Sequence, residues 1–226
     1  MFDVCPCQRL IVSMSSGFFI SFEGSEGCGK SSQIQLLVKR LMREGLEAVR
    51  VREPGGTPLG ERIRDLLQHA PEGQSMCPET ELLLFNASRA QLVRQVIAPA
   101  LANGQWVVAD RFYDSTSVYQ GLGRGLDRAA VAEVIRIAVG QTRPDLTLVL
   151  DVTPEVAQQR IRQRAASKDR FERESEEFFQ RVRQGFLDLA ADDPGRIRVV
   201  DSNGTIEQVH EQIWDLVTKT RNGIST

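Results

Sequence analysis

A short glycine-rich run near the start of the chain constrains the fold more than any other feature of the sequence. Residues 24–31 read GSEGCGKS and fit the pattern GxxxxGK[ST]. Such a loop follows a buried strand and opens a helix, because its backbone N–H groups must point inward at phosphate oxygens beside a helix N-terminus. An apolar run precedes it and a helix-compatible stretch follows. The sequence therefore predicts an α/β fold that binds a nucleoside triphosphate at this loop.

The residues of this phosphate loop have separable tasks. Gly24, Gly27 and Gly29 permit tight backbone turns. The ammonium of Lys30 can reach the β- and γ-phosphates, and the hydroxyl of Ser31 can ligate Mg²⁺. Backbone groups also hold the ligand in such loops, so the whole run is predicted to bind ATP or GTP: Gly24, Ser25, Glu26, Gly27, Cys28, Gly29, Lys30, Ser31 and Ser32.

One residue of the phosphate loop is unexpected. Glu26 places a carboxylate in a loop that holds phosphates. An anion beside a triphosphate is repelled unless it faces a donor or a metal ion. The sequence leaves two interpretations open, namely a contact made by Glu26 within the site or a side chain that points into solvent.

The rest of the chain alternates short apolar runs with helical patterns. Several of the runs are continuously apolar, which is typical of strands that are covered on both faces. Alternation with helices indicates a parallel sheet with right-handed crossovers and helices on both sides. The predicted strands are Phe18–Glu23, Ala48–Arg52, Trp106–Asp110, Leu146–Asp151 and Ile197–Asp201.

Composition favours one cytoplasmic domain. Of 226 residues, 41% are hydrophobic and 26% charged, which suits a single α/β domain over residues 17–226. A disordered extension is expected at residues 1–16, so either Met1 or Met14 could start the chain. The net charge of −2 predicts no general attraction to nucleic acid or membrane. A disulfide at Cys28 would obstruct the loop, so we expect reduced thiols.

An arginine-rich segment, residues 160–173, reads RIRQRAASKDRFER. It lies after the fourth predicted strand, and ligands of open α/β sheets bind at the carboxyl ends of the strands. We interpret it as a lid that covers the phosphates. A solvated helix end is the alternative interpretation.

Three classes of protein use a phosphate loop, and later residues separate them. A GTPase needs an NKxD motif, but this chain has no Asn-Lys dipeptide. An ATP-driven motor usually ends a strand in two acids, whereas the third predicted strand ends in Asp110-Arg111. The acid can hold the metal and the arginine can hold a phosphate bidentately. This pair favours a kinase whose acceptor is itself phosphorylated.

Other clusters support a second anionic substrate. Residues 52–57 read REPGGT, in which Arg52 can meet an anion, with Glu53 able to orient it. Phe85 and Arg89 are four residues apart on a predicted helix, Glu79–Leu101, and so share a face that could stack a base and donate to its edge. Hydroxyls, an amide and glycines crowd residues 110–125, which read DRFYDSTSVYQGLGRG and predict a substrate-lining segment.

At these residues the chain closely resembles the bacterial thymidylate kinase family of P-loop nucleoside-monophosphate kinases. The resemblance runs from about Gly17 to the C-terminus and rests on REPGGT, LFNASR, DR…YQGLGR, LDVTPE and DRFE. It implies a three-layer P-loop kinase fold with a lid, transfer of phosphate from ATP to dTMP with Mg²⁺, and a homodimer. The alternatives are another nucleoside-monophosphate kinase or, with less support, a nucleotide-dependent regulatory protein.

The resemblance also implies individual roles. Phe85 would stack on thymine, Arg89 would donate to a thymine carbonyl, and Tyr119 would occupy the place of a ribose 2′-hydroxyl. Glu26 would face the 3′-hydroxyl of the sugar. The implied acceptor-binding set is Arg52, Pro54, Phe85, Arg89, Arg111, Thr116, Tyr119 and Gln120, the metal set is Ser31 and Asp110, and the catalytic set is Lys30, Glu26, Arg111, Arg164 and Arg170.

Donor binding follows the same resemblance with two departures. Asp201–Gly204, with Asn203, would lie against adenine, and Arg164 and Arg170 would fold over ATP. Some members of the family carry an arginine inside the phosphate loop, but here Gly27 follows Glu26, so the arginine would have to come from the lid. Cys28 stands where relatives commonly have Ala or Ser.

Overall fold

The sheet of this protein is fully parallel. The structure is a computed structural model that describes residues 17–163, 170–171 and 174–224. Five strands in that part of the chain lie in the order β2-β3-β1-β4-β5. They are β1 Phe19–Glu23, β2 Ala48–Arg52, β3 Trp106–Asp110, β4 Leu146–Asp151 and β5 Ile197–Asp201. All five predicted strands are confirmed, with β1 starting one residue later than expected.

Several sequence predictions fall outside the described residues. The expected disordered extension at 1–16, with Cys5, Cys7 and Met14, is one of them. Most of the predicted lid, including Arg164, is another. Of the segment 164–173, only Arg170 and Phe171 are described.

Helices cover both faces of the sheet. The described α-helices are α1 Lys30–Arg43, α2 Pro58–Gln68, α3 Pro78–Leu92, α4 Ala98–Ala102, α5 Tyr113–Thr116, α6 Arg128–Val139, α7 Pro154–Arg162, α8 Glu176–Asp192 and α9 Ile206–Ile224. A 3-10 turn lies at Pro71–Ser75, and π-helical turns lie at Val93–Ile97 and Ser117–Gly123. None of the described helices is long and apolar enough to cross a membrane.

Strand β1, at the centre of the sheet, has apolar residues at consecutive positions rather than at every second position. Ile20 and Phe22 pack with α1 and α9 on one face of the sheet. Phe19 packs with α3 and α6 on the other face. Successive side chains of a strand point to opposite faces, so a strand buried on both sides needs apolar residues at consecutive positions.

Thr57, Asp127, Thr153 and Thr205 each precede a helical pattern in the sequence and are predicted N-caps, and three of the four are confirmed. Thr57 caps α2 by accepting from the backbone N–H of Gly60 at 3.0 Å, and Asp127 caps α6. Thr205 and Gln208 form the expected capping box before α9. The cap expected from Thr153 is wrong, because its side chain makes no capping hydrogen bond to α7.

The helix predicted over Glu79–Leu101 is interrupted. It consists of α3, the π-helical turn Val93–Ile97 and α4. Pro99 lies just after the wide turn and has no N–H to donate to the carbonyl four residues before it, which accounts for the change of helical pitch.

The loops that follow β1, β2 and β3 meet at one edge of the sheet. Strands β2, β3 and β1 are neighbours and run parallel, with Arg52 in register with Asp110 and Asp110 in register with Phe22. Their carboxyl ends therefore bring the phosphate loop, REPGGT and the Asp110-Arg111 pair together, at the edge where α/β sheets bind ligands.

Candidate active site

The phosphate loop is closed tightly against its surroundings. Gly24 has φ 129° and Gly27 has φ 76°, a region that favours glycine. A Cβ at Gly24 would lie 2.5 Å from the carbonyl oxygen of Leu150, and one at Gly27 would lie 2.7 Å from that of Ala157. Both glycines are thus required by conformation and by space.

Lys30 lies inside this loop. Its side chain is 7% exposed at the first residue of α1. The ammonium donates to the carbonyl oxygens of Gly24 at 3.1 Å and Ser25 at 2.8 Å. These contacts hold a positive charge at the centre of the loop, where the phosphates of a nucleotide are expected.

Two predicted metal ligands lie side by side. The hydroxyl of Ser31 donates to Oδ2 of Asp110 at 3.3 Å, which joins the start of α1 to the end of β3. A hydroxyl and a carboxylate are oxygen ligands of the kind that Mg²⁺ prefers. The arrangement therefore fits a magnesium ion beside the phosphate loop.

Arg111 links the loop to the second half of the site. Among the described residues it is the one non-glycine with positive φ, at 69°, and such strain is common at functional sites. Its Nη1 donates to the carbonyl of Gly24 at 2.9 Å and to Oγ of Ser115 at 3.1 Å. Its Nη2 forms an ion pair with Glu26 at 2.5 Å. Glu26 therefore faces a guanidinium, and the solvent-pointing alternative is wrong.

A buried acid that no sequence pattern singles out supports Arg111 through the shared partner Ser115. Glu23, the last residue of β1, is 0% exposed. Its carboxylate accepts from the backbone N–H of Phe112 at 2.7 Å and from the hydroxyls of Ser115 at 2.5 Å and Ser21 at 3.0 Å. Burial, reinforced by the charge of Asp114, raises the pKa of Glu23 to about 7. The only signal in the sequence was an acid at the end of an apolar strand.

A cavity opens beside the phosphate loop. Most of the predicted acceptor-binding residues line it, and it brings distant segments together. The lining residues are Glu26, Glu53, Pro54, Gln68, Phe85, Arg89, Arg111, Phe112, Ser115, Thr116, Tyr119, Gln120 and Phe171.

Arg52 is the predicted acceptor residue that this cavity does not include. Its guanidinium donates to both carboxylate oxygens of Glu61, at 2.9 and 3.0 Å. The expectation that Glu53 orients Arg52 is therefore wrong. Glu53 pairs instead with Arg89 at 2.6 Å, and both side chains are at most 3% exposed. Burial raises the pKa of Glu53, and the charge of Arg89 opposes that shift.

The cavity contains polar atoms without partners. Glu53 Oε1, Gln68 Oε1 and the Tyr119 hydroxyl are buried and accept or donate no hydrogen bond within the described residues. All three residues line the cavity. Buried polar atoms are nearly always paired, so these three indicate that a polar ligand belongs there.

Arg170 lies on the acceptor side of the site. Its Nη2 forms an ion pair with Glu81 at 2.5 Å, and its Nε donates to the carbonyl of Leu67 at 3.0 Å. The expected position of Arg170 over the donor is therefore not the one in this structure. Arg160, the first residue of the predicted lid, reaches the phosphate loop, where its Nη1 lies 3.5 Å from the carbonyl oxygen of Gly27.

The end of β5 also touches the phosphate loop. The hydroxyl of Ser202 donates to the carbonyl of Cys28 at 2.6 Å. Asn203 follows, and its side chain joins Asp201 to the backbone N–H of Thr153. Asn203 therefore follows a residue that contacts the phosphate loop, and its place beside adenine stays a prediction.

The geometry defines a class of protein. A phosphate loop, a hydroxyl–carboxylate pair for a metal and an arginine shared with a second polar cavity are the parts of a P-loop kinase that acts on a small phosphorylated acceptor. Residues 22–213 match the family model for thymidylate kinase.

Known proteins identify the family. The thymidylate kinase of Kosmotoga olearia is 51% identical over 195 residues, which cover 86% of this chain and 92% of that protein. That of Alcanivorax borkumensis is 48% identical over 202 residues, 89% of this chain and 96% of that protein. The crystal structure of thymidylate kinase from Ehrlichia chaffeensis has a TM-score of 0.74 at 32% identity and covers 89% of this chain and 99% of that one. The chain belongs to the thymidylate kinase family.

Proposed function

We propose that this protein transfers the γ-phosphoryl group of ATP to dTMP, giving ADP and dTDP. One observation carries the proposal: a cavity with aromatic side chains and Arg89 also contains Arg111, whose guanidinium is bonded to the phosphate loop. An acceptor that fills this cavity has its phosphate beside Arg111 and so beside the donor.

The chemistry needs alignment and charge neutralisation rather than a strong base. The attacking atom is an oxygen of the dTMP phosphate, which is already an anion. Arg111 would hold that phosphate, and Lys30 would hold the β- and γ-phosphates of ATP. Ser31 and Asp110 would hold Mg²⁺, which supplies charge neutralisation on the donor phosphates. Arg52 would reach the acceptor phosphate from the cavity rim once it leaves Glu61.

The remaining cavity residues would recognise thymidine. Phe85 offers a ring for stacking, and Arg89 offers a buried guanidinium whose position is fixed by Glu53 and Asn86. Thr116 and Gln120 are each 1% exposed and would meet the edge of the base. Tyr119, whose hydroxyl has no hydrogen-bond partner in the described part of the chain, would exclude a ribose 2′-hydroxyl.

Donor contacts and assembly complete the proposal. Arg164 would approach the transferring phosphoryl group, and Asn203 would lie beside adenine. The protein would act as a cytoplasmic homodimer. Support for a dimer comes from large apolar side chains on the α2–α3–α6 layer, where Leu59, Leu83 and Ile137 are each more than half exposed.

A panel of monophosphates tests the activity. Coupled ADP release should be fast with dTMP and much slower with the ribose analogue of dTMP and with dCMP, dGMP and AMP. Equal turnover of AMP would instead indicate a different nucleoside-monophosphate kinase. ATP hydrolysis without any acceptor preference would indicate a regulatory nucleotide-binding protein.

A further inference from the structure

A single buried carboxylate joins three segments around the acceptor cavity. Glu81, in the first turn of α3, is 1% exposed. Its Oε1 accepts from Nε2 of Gln120 at 2.7 Å and from Nε of Arg124 at 3.2 Å. Its Oε2 accepts from Nη2 of Arg124 at 3.3 Å and from Nη2 of Arg170 at 2.5 Å. Loss of one of these donors would leave the buried carboxylate of Glu81 incompletely paired, which costs folding free energy. The folded state therefore favours keeping all of the donors in place.

The two arginines pin the chain on both sides of Phe171. The backbone N–H of Arg170 lies 3.4 Å from the carbonyl oxygen of Gln68, at the end of α2. On the other side, Arg124 also pairs with Glu174 at 2.7 Å. Arg170 binds Glu81 directly, and Glu174 is held through Arg124, which also binds Glu81.

Phe171 lies between these two held residues, and its side chain faces the cavity. Its side chain is 8% exposed and lines the cavity. Its ring meets the ring of Phe85 edge-on at 5.6 Å and that of Tyr119 at 6.5 Å. Phe85 belongs to the end of the cavity that contains Arg89, whereas Glu26 and Arg111 mark the end beside the phosphate loop.

We propose that Glu81 is a positioning residue that fixes Phe171 as a wall of the nucleoside end of the acceptor cavity, and that Arg170 acts with it there. The inference rests on the proposed function and refines it. Glu81 itself does not line the cavity, so it acts through Phe171 and through the amide of Gln120. Binding of the base and sugar is the quantity that it controls.

Variants separate this role from one in phosphoryl transfer. Glu81→Gln keeps the shape of the side chain and removes the charge that holds both arginines. Arg170→Met keeps most of the apolar stem and removes the ion pair. The inhibition constant of thymidine, which lacks the phosphate, and the KM for dTMP should each rise about tenfold in both variants, because each loses a charge-assisted hydrogen bond. The KM for ATP should be unchanged in both variants, the kcat should be unchanged in Glu81→Gln, and the double variant should be no worse than either single one.

Arg196→Met is the matched control. Arg196 pairs with buried Asp114 at 2.7 Å, and its side chain is 20% exposed, against 17% for Arg170. It lies just before β5, and its side chain does not line the cavity. This variant should lower stability while thymidine inhibition stays at the wild-type value.

Three results would overturn the inference. The first is a lower kcat for Arg170→Met with unchanged thymidine inhibition, which would place Arg170 at the transferring phosphoryl group. The second is unchanged thymidine inhibition for Glu81→Gln. The third is an equal loss in Arg196→Met, which would indicate general loosening. Failure of the proposed function is distinct, because the wild-type protein would then not phosphorylate dTMP.

Discussion

Replacing Glu23 with glutamine should make stability less dependent on pH. Burial first, and then the charge of Asp114, raise the pKa of Glu23 from 4.5 to about 7, although donors from Ser115 and Phe112 and the charge of Arg111 oppose the shift. A carboxyl whose pKa is higher in the folded state stabilises the fold most below its unfolded pKa, and that stability is lost as pH rises through the folded pKa. Relative to the variant, the wild-type protein should lose roughly 2.5 kcal/mol between pH 5 and pH 8.

Urea unfolding at several pH values between 5 and 8 measures this effect. Glutamine can keep the local contacts, since its carbonyl oxygen can accept from the backbone N–H of Phe112 and its amide can donate to the hydroxyl of Ser115. The free energy of unfolding of the variant minus that of the wild type should therefore rise with pH. A difference that stays constant across the range, with equal m-values, would refute the reasoning that Glu23 is protonated in the folded state.

Further substitutions test the site and its support. Glu26→Gln removes the ion pair to Arg111 and should lower dTMP turnover roughly tenfold while ATP binding is retained. Steady-state kinetics with each substrate varied in turn measures both effects, and an equal loss of ATP binding would contradict the prediction. Thr57→Ala removes the cap of α2 and should cost about 1 kcal/mol of stability in urea unfolding. An unchanged free energy of unfolding would contradict this contribution. Arg164→Ala should lower kcat with little change in dTMP affinity, and an unchanged kcat would exclude the proposed role.

The fold could be predicted because its signals are local. Each strand is a short apolar run, and the phosphate loop needs a strand before it and a helix after it. Four of the five strands have the predicted bounds. The strand order β2-β3-β1-β4-β5 was not predicted, since no local pattern records which strands pair.

The site was predicted in its residues more than in its contacts. Phe85, Arg89 and Tyr119 do line one cavity, because segments that follow or face the same sheet edge must meet there. The predicted partner of Arg52 is wrong, because Glu53 pairs with Arg89 and Arg52 pairs with Glu61, one turn into α2. Successive side chains of extended chain point to opposite faces, so adjacency in sequence disfavours a pair between Arg52 and Glu53.

Ion pairs and hydrogen bonds between residues far apart in the sequence could not be predicted from local patterns. Glu81 and Arg170 are 89 positions apart, and Glu23 and Ser115 are 92 apart. In the sequence, none of these four residues differs from an ordinary polar residue of a soluble protein. Their roles depend on burial, which only the folded chain determines.

The acid in the phosphate loop can be explained by the cations around it. Burial and the nearby charge of Arg111 both act against the protonated form of Lys30, but Cys28, Glu26 and Asp110 outweigh them, and the pKa of Lys30 lies above its ordinary value. Two cations confined beside one loop repel each other, and a carboxylate bonded to one of them reduces that repulsion before any phosphate arrives. Glu26 is therefore compatible with a triphosphate, since it lets Lys30 and Arg111 remain charged in the same partly buried site. An incoming acceptor phosphate would compete with Glu26 for Arg111, which would free the carboxylate to face a sugar hydroxyl in the proposed complex.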